Sequence, residues 1–130
     1  MAACLEERAR CPDQQAANAA LRRVLDPKLG QEWLEVGCGS GVLCRQLTPT
    51  LGPSGRISGL GLSYEMLQAA RRIDLEAGPT EAVSWAAGDA ERLPFVAGAF
   101  DGVFAARLLL HAAHPQAVVN EMARVVKPSG

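Results

Sequence analysis

The chain has 130 residues, of which 48% are hydrophobic and 21% charged, and its formal net charge is −1 at pH 7. This composition excludes a disordered chain and predicts one globular domain over residues 1–130. No run of Lys and Arg is present, which argues against a nucleic-acid partner. No apolar segment is long enough to span a bilayer, and the N-terminus does not resemble a secretory signal, so we expect a cytoplasmic protein that is not inserted in a membrane.

The cysteine spacing argues against a structural metal. Cys4, Cys11, Cys38 and Cys44 form no C-x-x-C pair, and the two histidines lie far from them in sequence. Closely spaced ligand pairs are typical of zinc sites. We therefore expect free thiols and no metal.

The first half of the chain predicts two helices around one strand. Residues 1–12 show no pattern and form a lead-in. Residues 13–25 have apolar residues on one helical face, with Asp13 as a candidate N-cap. The apolar segment EWLEV, residues 32–36, is a short buried strand, and a helical pattern returns over 41–51.

The second half repeats the alternation of strand and helix. After a turn at 52–55, further strands are predicted at 56–62, 82–88 and 99–106. Ser63 is a candidate N-cap for the helix that Gly78 and Pro79 end, and Pro115 suits the first turn of the last helix. Short strands that alternate with helices predict an α/β fold, in which a parallel sheet has helices on both faces.

A glycine-rich turn, GCGSG at residues 37–41, directly follows the first strand. One interpretation is a tight turn with close internal packing. The other is a ligand site, because ligands bind beyond the carboxyl ends of strands in doubly wound sheets. The dinucleotide fingerprint G-x-G-x-x-G requires a third glycine where this chain has Val42, which argues against a nicotinamide-dependent oxidoreductase.

Together with Glu35, this turn resembles the first motif of class I S-adenosylmethionine-dependent methyltransferases, an acid followed by x-G-x-G-x-G. Three further segments resemble the family in the same order: GLGLSYEMLQAAR, AAGDAERLPF, and the stretch from FDGVF to KPSG. Together they cover most of residues 33–130. The style of the motifs is similar to the small-molecule methyltransferases of ubiquinone and menaquinone biosynthesis.

The resemblance implies a Rossmann-like doubly wound sheet that binds S-adenosylmethionine. It assigns cofactor contacts to Glu35, Gly37, Cys38, Gly39, Gly41, Leu62, Met66, Asp89 and Ala90. The Glu35 carboxylate would lie near the cofactor's amino group, and Asp89 would accept a hydrogen bond from the adenine amino group. Other interpretations stay open: Glu35 as a helix-dipole or solvent-facing acid, Asp89 as a turn residue, and Met66 as ordinary core.

His111 is the candidate general base, since it follows the fourth strand at the ligand end of the sheet and titrates near neutral pH. A capping or packing role is the alternative. Arg107 could face an anionic acceptor or lie in a surface ion pair. A base is needed only if the acceptor must lose a proton, because the enzyme otherwise mainly positions donor and acceptor.

Several other polar residues are expected to be structural. His114 is an N-cap-like loop residue, and Asp101 lies at the wrong end of its strand for chemistry. Glu121 and Arg124 are spaced as an i, i+3 pair on a solvated helix face. Residues 93–95 are expected to support the fold and not to touch a ligand.

The chain departs from the family pattern in two places. Gly61 stands where the second strand usually ends in an acid that binds both ribose hydroxyls, and a water could partly fill that gap. The sheet is expected to have about four strands in the order 3-2-1-4, without the family's C-terminal strands. The fourth strand would then be an unpaired edge through which two chains could form a homodimer.

The sequence thus favours an S-adenosylmethionine-dependent methyltransferase with a small-molecule acceptor. The alternative is a catalytically inactive, truncated relative that acts as a binding or interaction module. The identity of the acceptor is beyond the sequence, because the segments that would select it are variable or absent.

Overall fold

The computed structural model describes residues 12–38, 41–61, 64–76, 83–105 and 112–128. They contain these elements in chain order: α1 Pro12–Leu25, β1 Glu32–Val36, α2 Val42–Leu51, β2 Arg56–Gly61, α3 Tyr64–Glu76, β3 Val83–Ala87, β4 Gly102–Phe104 and α4 Pro115–Val125. No helix within these ranges is long and apolar enough to cross a membrane.

The four described strands form one parallel sheet in the order β3-β2-β1-β4. This confirms the predicted fold class and strand order. The order reverses direction at β1, which pairs with β2 on one side and with β4 on the other. A reversal of this kind opens a crevice outside the carboxyl ends of the strands, where α/β proteins bind ligands.

One face of the sheet is covered by the helices from the first half of the chain. Side chains alternate along each strand, so Trp33, Ile57, Val83 and Phe104 share this face. They pack against α1, α2 and α3 through Leu21, Leu25, Leu43, Cys44, Leu47, Leu51 and Leu67. The indole of Trp33 lies 6.2 Å from the ring of Phe104, centre to centre, which joins the two strands at this level.

The opposite face is covered by α4 and the segment between β3 and β4. Leu34, Val36 and Leu60 on this face are fully buried. They pack against Ala90, Leu93, Phe100, Val118 and Val125. Helices therefore cover both faces, as the alternation of elements predicts.

Two predicted boundaries are wrong for identifiable reasons. The first helix begins at Pro12, so Asp13 lies inside its first turn and is not the N-cap. The fourth strand spans only 102–104 and not 99–106. Phe100 instead pairs with the chain that follows α4. Its N–H donates to the carbonyl of Val125 at 3.0 Å, and its carbonyl accepts the N–H of Lys127 at 2.8 Å.

Asp101 and His114 have the structural places expected of them. Asp101 accepts a hydrogen bond from the N–H of Glu32 at 2.8 Å and one from Lys127 at 3.1 Å, which fastens the start of β1. His114 occupies the N-cap position of α4 without a side-chain capping bond, and Pro115 begins the helix as predicted. Residues 1–11 of the lead-in, Ser63 and the Gly78-Pro79 stop lie outside the described residues, and Pro12 belongs to α1.

Candidate functional site

The backbone leaves β1 through the glycine turn, defined here as residues 37–41. The N–H groups of Gly37 and Cys38 both donate to the carbonyl of Leu60, at 2.8 and 3.0 Å, so the start of the turn is tied to β2. Gly37 has φ 78° and Gly41 has φ 85°, a left-handed conformation that favours glycine. The N–H of Gly41 donates to the carbonyl of Cys38 at 2.9 Å and closes the turn. Gly39 lies outside the described residues.

The end of the turn is also confined by a tryptophan that sequence reasoning missed. A methyl group placed on Gly41 would collide with the six-membered ring of Trp85, lying 2.7 Å from Cζ3. Gly41 is therefore a glycine for two reasons, its left-handed backbone and the ring beside it. Part of the glycine spacing thus serves internal packing, as the first interpretation of the turn proposed.

The carboxyl group of Glu35 is buried at the end of β1. The residue is 3% exposed, and the thiol of Cys44, in the first turn of α2, donates to its Oε1 at 3.3 Å. Burial raises the pKa of Glu35 to about 8, and the bond from Cys44 offsets part of that rise. A solvent-facing role for Glu35 is therefore wrong, whereas an interaction with the start of α2 is compatible with this geometry.

The two thiols beside Glu35 are neutral. Burial, followed by the nearby Glu35 carboxylate, raises the pKa of Cys38 to about 12 and raises that of Cys44 well above its ordinary value. Both are free cysteines, as expected. Within the described ranges no group of three or more His, Cys, Asp or Glu side chains is placed to hold a metal ion.

Asp89 follows β3, two strands away from the glycine turn. Its Oδ1 accepts the N–H of Glu91 at 2.9 Å and its carbonyl accepts the N–H of Arg92 at 3.0 Å, so it does form a turn. The residue is exposed, which leaves the carboxylate accessible, while Ala90 next to it is 3% exposed. The turn role and a ligand contact are thus compatible at this position.

The loop after Asp89 is clamped to α4 by two residues that the sequence assigns to a solvated face. Glu121 accepts the N–H of Leu93 at 2.8 Å. Arg124 donates to the carbonyls of Leu93 and Phe95, at 3.0 and 2.9 Å, and pairs with Glu121 at 2.6 Å. The predicted i, i+3 pair is confirmed and Arg124 is exposed, but its contacts with the loop were not predicted, because the spacing does not reveal what lies beside the helix. Leu93 is buried, which confirms its structural role.

The end of β2 carries no acid, and a neighbouring side chain crowds the space beside Gly61. A methyl group placed on Gly61 would lie 2.8 Å from Cγ and 2.9 Å from Cδ2 of Leu67. Leu67 belongs to α3 and is 1% exposed. This leucine occupies the space that the first side-chain atom at Gly61 would enter, and the water near Gly61 stays a prediction.

Several predicted site residues lie outside the description. Leu62, Arg107 and His111 are among the residues that the structure does not describe, as is the side chain of Met66 within α3. The described candidates are therefore Glu35, Gly37, Cys38 and Gly41 at one strand end, and Asp89 and Ala90 at another. Trp85 joins the first group. No motif marks Trp85 in the sequence, because its place opposite Gly59 on β2 follows from the strand register.

Known proteins place this chain in a family. A family model described as "Methyltransferase domain" matches residues 34–130. The ubiquinone/menaquinone biosynthesis C-methyltransferase of Pseudomonas paraeruginosa is 36% identical over 101 residues, covering 78% of this chain and 40% of that protein. The biotin biosynthesis bifunctional protein of Teredinibacter turnerae is 36% identical over 106 residues, covering 78% of this chain and 19% of that protein.

The fold agrees with the sequence matches. The crystal structure of the YcgJ protein from Bacillus subtilis superposes with a TM-score of 0.83 at 25% identity, covering 89% of this chain and 48% of that one. The chain belongs to the methyltransferase domain family, which confirms the resemblance to class I S-adenosylmethionine-dependent methyltransferases. S-adenosylmethionine is the cofactor that this membership indicates. The chain spans less than half the length of each of these three relatives.

The burial of Glu35 predicts a pH-dependent stability. Its folded pKa of about 8 lies above its ordinary value of 4.5, so the folded state holds a proton that the unfolded state loses between these pH values. The stabilisation is complete below pH 4.5 and is lost as the pH rises through 8, by at most about 1.4 kcal/mol per pH unit. Glu35→Gln removes this decline, as measured by urea unfolding from pH 5 to 9.

The exposed Glu65 provides the matched control. Glu65→Gln should leave the parent's pH dependence unchanged, because that carboxylate stays in water in both states. Parallel stability curves for the parent and Glu35→Gln would contradict the assignment of the titration to Glu35.

The contacts that Glu121 and Arg124 make with residues 93–95 predict that backbone amides of this loop are protected from hydrogen exchange. Arg124→Ala frees the carboxylate that holds the amide of Leu93, so exchange of this amide should accelerate roughly tenfold, as expected for one charge-assisted hydrogen bond. Hydrogen exchange followed by NMR measures it, with the amide of Leu34 in β1 as an unaffected reference. Arg23→Ala on the exposed side of α1 is the matched control. Equal acceleration of Leu93 amide exchange in both variants would contradict the prediction.

Packing at Gly61 predicts that an acid cannot simply be restored there. Gly61→Asp should destabilise the fold by about 1–3 kcal/mol, because the side chain collides with Leu67. Leu67→Ala creates space for the new side chain. The loss of unfolding free energy in the double variant should therefore be smaller than the sum of the losses in the two single variants. Urea unfolding measures all four proteins, and Gly61→Ala separates crowding from charge. Strictly additive effects would refute the collision.

Proposed function

We propose that this chain forms the cofactor-binding part of an S-adenosylmethionine-dependent methyltransferase that acts on a small-molecule acceptor. The observation that carries the proposal is the buried carboxyl of Glu35 directly before a glycine turn with two left-handed glycines, at the strand where the sheet order reverses. This is the crevice in which α/β folds bind their ligands.

The residues present fit two of the three parts of the cofactor. The amino acid end carries a cationic amino group, and Glu35 supplies a buried carboxyl that one thiol contacts at 3.3 Å. The adenine end meets an accessible carboxylate in Asp89, beside the buried Ala90. The ribose finds no acid at Gly61, where Leu67 fills the space. We therefore expect the cofactor to bind specifically but more weakly than it would with an acid at Gly61, because the charge-assisted hydrogen bonds to the ribose are missing.

The chain's own residues would bind and orient the reactants. Glu35, protonated in the free protein below its pKa of about 8, would lose its proton on binding and pair with the amino group of the cofactor, and the left-handed glycines would let the cofactor approach the backbone. Asp89 accepts a hydrogen bond from the adenine amino group. His111, outside the described residues, would take a proton from an acceptor that has one to lose. When bound, S-adenosylmethionine supplies an activated methyl group on a sulfonium, so positioning is the main task of the protein.

The small-molecule acceptor is supported by the printed name of one relative, a C-methyltransferase of ubiquinone and menaquinone biosynthesis. A cytoplasmic location and a homodimer through the edge of β4 stay predictions. For the second, the described part of the chain leaves one side of β4 without a paired strand. An exposed edge of this kind favours pairing with another chain.

One observation favours a second function. Leu67 fills the place of a ribose-binding acid, as expected of a relative that has lost catalysis and serves as a binding or interaction module. The two functions differ in a measurable way: the enzyme transfers a methyl group from S-adenosylmethionine, whereas the module does not.

The test is calorimetric titration of the 130-residue chain with S-adenosylhomocysteine, the demethylated product. We expect a micromolar Kd, weakened roughly ten- to a hundredfold by Asp89→Ala because a hydrogen bond to a charged acceptor is lost. Glu91→Ala removes the same charge from the same loop and should bind as the parent does. Absence of binding by the parent, in folded protein, would reject the proposed function; equal binding by Asp89→Ala would reject the adenine site alone.

A further inference from the structure

Trp85 occupies a slot made by two glycines. Four residues lie side by side across the sheet, because Trp85 pairs with Gly59, Gly59 with Glu35, and Glu35 with Phe104. A methyl group on Gly59 would lie 2.9 Å from both Cε3 and Cζ3 of Trp85. The same Cζ3 lies 2.7 Å from a methyl group on Gly41. The six-membered ring thus reaches from β3 across β2 and against the end of the glycine turn.

The start of the turn meets the same slot. A methyl group on Gly59 would lie 3.1 Å from Cβ of Cys38, so Cys38 and the indole fill adjacent space over this glycine. Cys38 and Gly41 are joined by a backbone hydrogen bond of 2.9 Å. Trp85 therefore lies against Gly41, the last residue of the turn, and fills space over Gly59 next to that of Cys38. Its own carbonyl accepts a bond from Arg71 of α3 at 3.3 Å, which fastens the strand to the neighbouring helix.

Gly41 connects the glycine turn to α2. Gly41 occupies the N-cap position of α2 and supplies no side-chain capping bond. Capping side chains ordinarily fix the entry of a helix. Here the entry is held by backbone bonds and by the indole pressed against it. The ring is a rigid body with few rotamers, so its position limits the backbone positions open to the turn.

We propose that Trp85 is a positioning residue that holds Gly41, the described residue at the end of the glycine turn, in the backbone conformation that accepts the amino acid end of the cofactor. This inference rests on the proposed function. Trp85 acts through Gly41 and Cys38 and does not itself contact the ligand. A smaller ring would no longer reach Gly41, and the turn would gain conformations that bind the ligand poorly.

Trp33 makes a matched control for a merely structural role. It lies on the same face of the sheet at the opposite end, and its indole rests on a glycine in the same manner, since a methyl group on Gly102 would lie 2.5 Å from Cζ3 and Cη2 of Trp33. Trp33→Phe and Trp85→Phe remove the same atoms. A structural role predicts that both lose stability and neither loses affinity for ligand.

The first experiment measures unfolding in urea and calorimetric binding of S-adenosylhomocysteine for the parent, Trp33→Phe and Trp85→Phe. We expect Trp85→Phe to raise Kd at least roughly tenfold, which corresponds to about 1.4 kcal/mol, and Trp33→Phe to change it less than twofold. Equal Kd values in the parent and Trp85→Phe would overturn the inference. Absence of binding by the parent would instead reject the proposed function, so the two failures are distinguishable.

A second measurement covers the case in which Trp85→Phe does not fold. In the Trp33→Phe protein, Trp85 is the remaining tryptophan, because the sequence contains two. Its fluorescence should shift as S-adenosylhomocysteine is added, with the same Kd as the calorimetric titration. Binding without any change in this emission would overturn the inference.

A third variant tests the slot itself. Gly59→Ala places a methyl group against the indole and should displace it, weakening binding by roughly the same factor as Trp85→Phe. Combined with Trp85→Phe, it should cost nothing further, since the ring that it crowds is gone. Effects on Kd that multiply independently would contradict a shared pathway through Trp85.

Discussion

The reversal of strand order at β1 is the constraint on which the rest of the molecule depends. Because β1 pairs with β2 on one side and β4 on the other, the chain leaving it enters a crevice with a strand end on either side. Both N–H groups that begin the glycine turn bind Leu60 of β2, so the sheet itself fixes where the turn starts. The first helix covers one face and α4 the other, and the crevice stays at the end of the sheet.

Glycine serves two purposes around this crevice. Gly41 and Gly59 make room for the ring of Trp85, and Gly61 makes room for Leu67. These contacts lie within the protein, between strands and helices of one face. Gly37 and Gly41 also adopt left-handed backbone, which shapes the turn that a ligand would meet. Close internal packing and ligand access, which the sequence leaves as alternatives, are therefore compatible in one segment.

The elements and their order could be predicted because they depend on local pattern. EWLEV and the glycines that follow it predict β1 and its turn, and Pro115 predicts the start of α4. The failures arise where a contact distant in sequence decides. The fourth strand is short because Phe100 pairs with Val126, which follows α4. The structural role of Glu121 comes from the hydrogen bond that it accepts from the N–H of Leu93. Periodicity along one helix carries no information about these partners.

The candidate site divides in the same way. Glu35 and Asp89 were recognisable from motifs, because the residue type alone shows that each carries a carboxylate. Trp85 was not recognisable in this way, because its proposed role depends on Gly59, which lies opposite it on the neighbouring strand. The packing beside Gly61 could not be predicted from the sequence either. A missing side chain suggests empty space, whereas close packing in a protein interior fills such space with a neighbour, here Leu67.

The buried carboxyl at Glu35 joins stability to the proposed function. An acid that is 3% exposed beside two neutral thiols costs the fold free energy whenever it is ionised. A cationic ligand bound near it would offset that cost, so ligand binding and deprotonation of Glu35 would favour one another. A group that lowers the stability of the free protein and complements a ligand is a recurrent feature of functional sites. The burial of Glu35 therefore argues for a ligand at the glycine turn even though Trp85 accounts for one of its glycines.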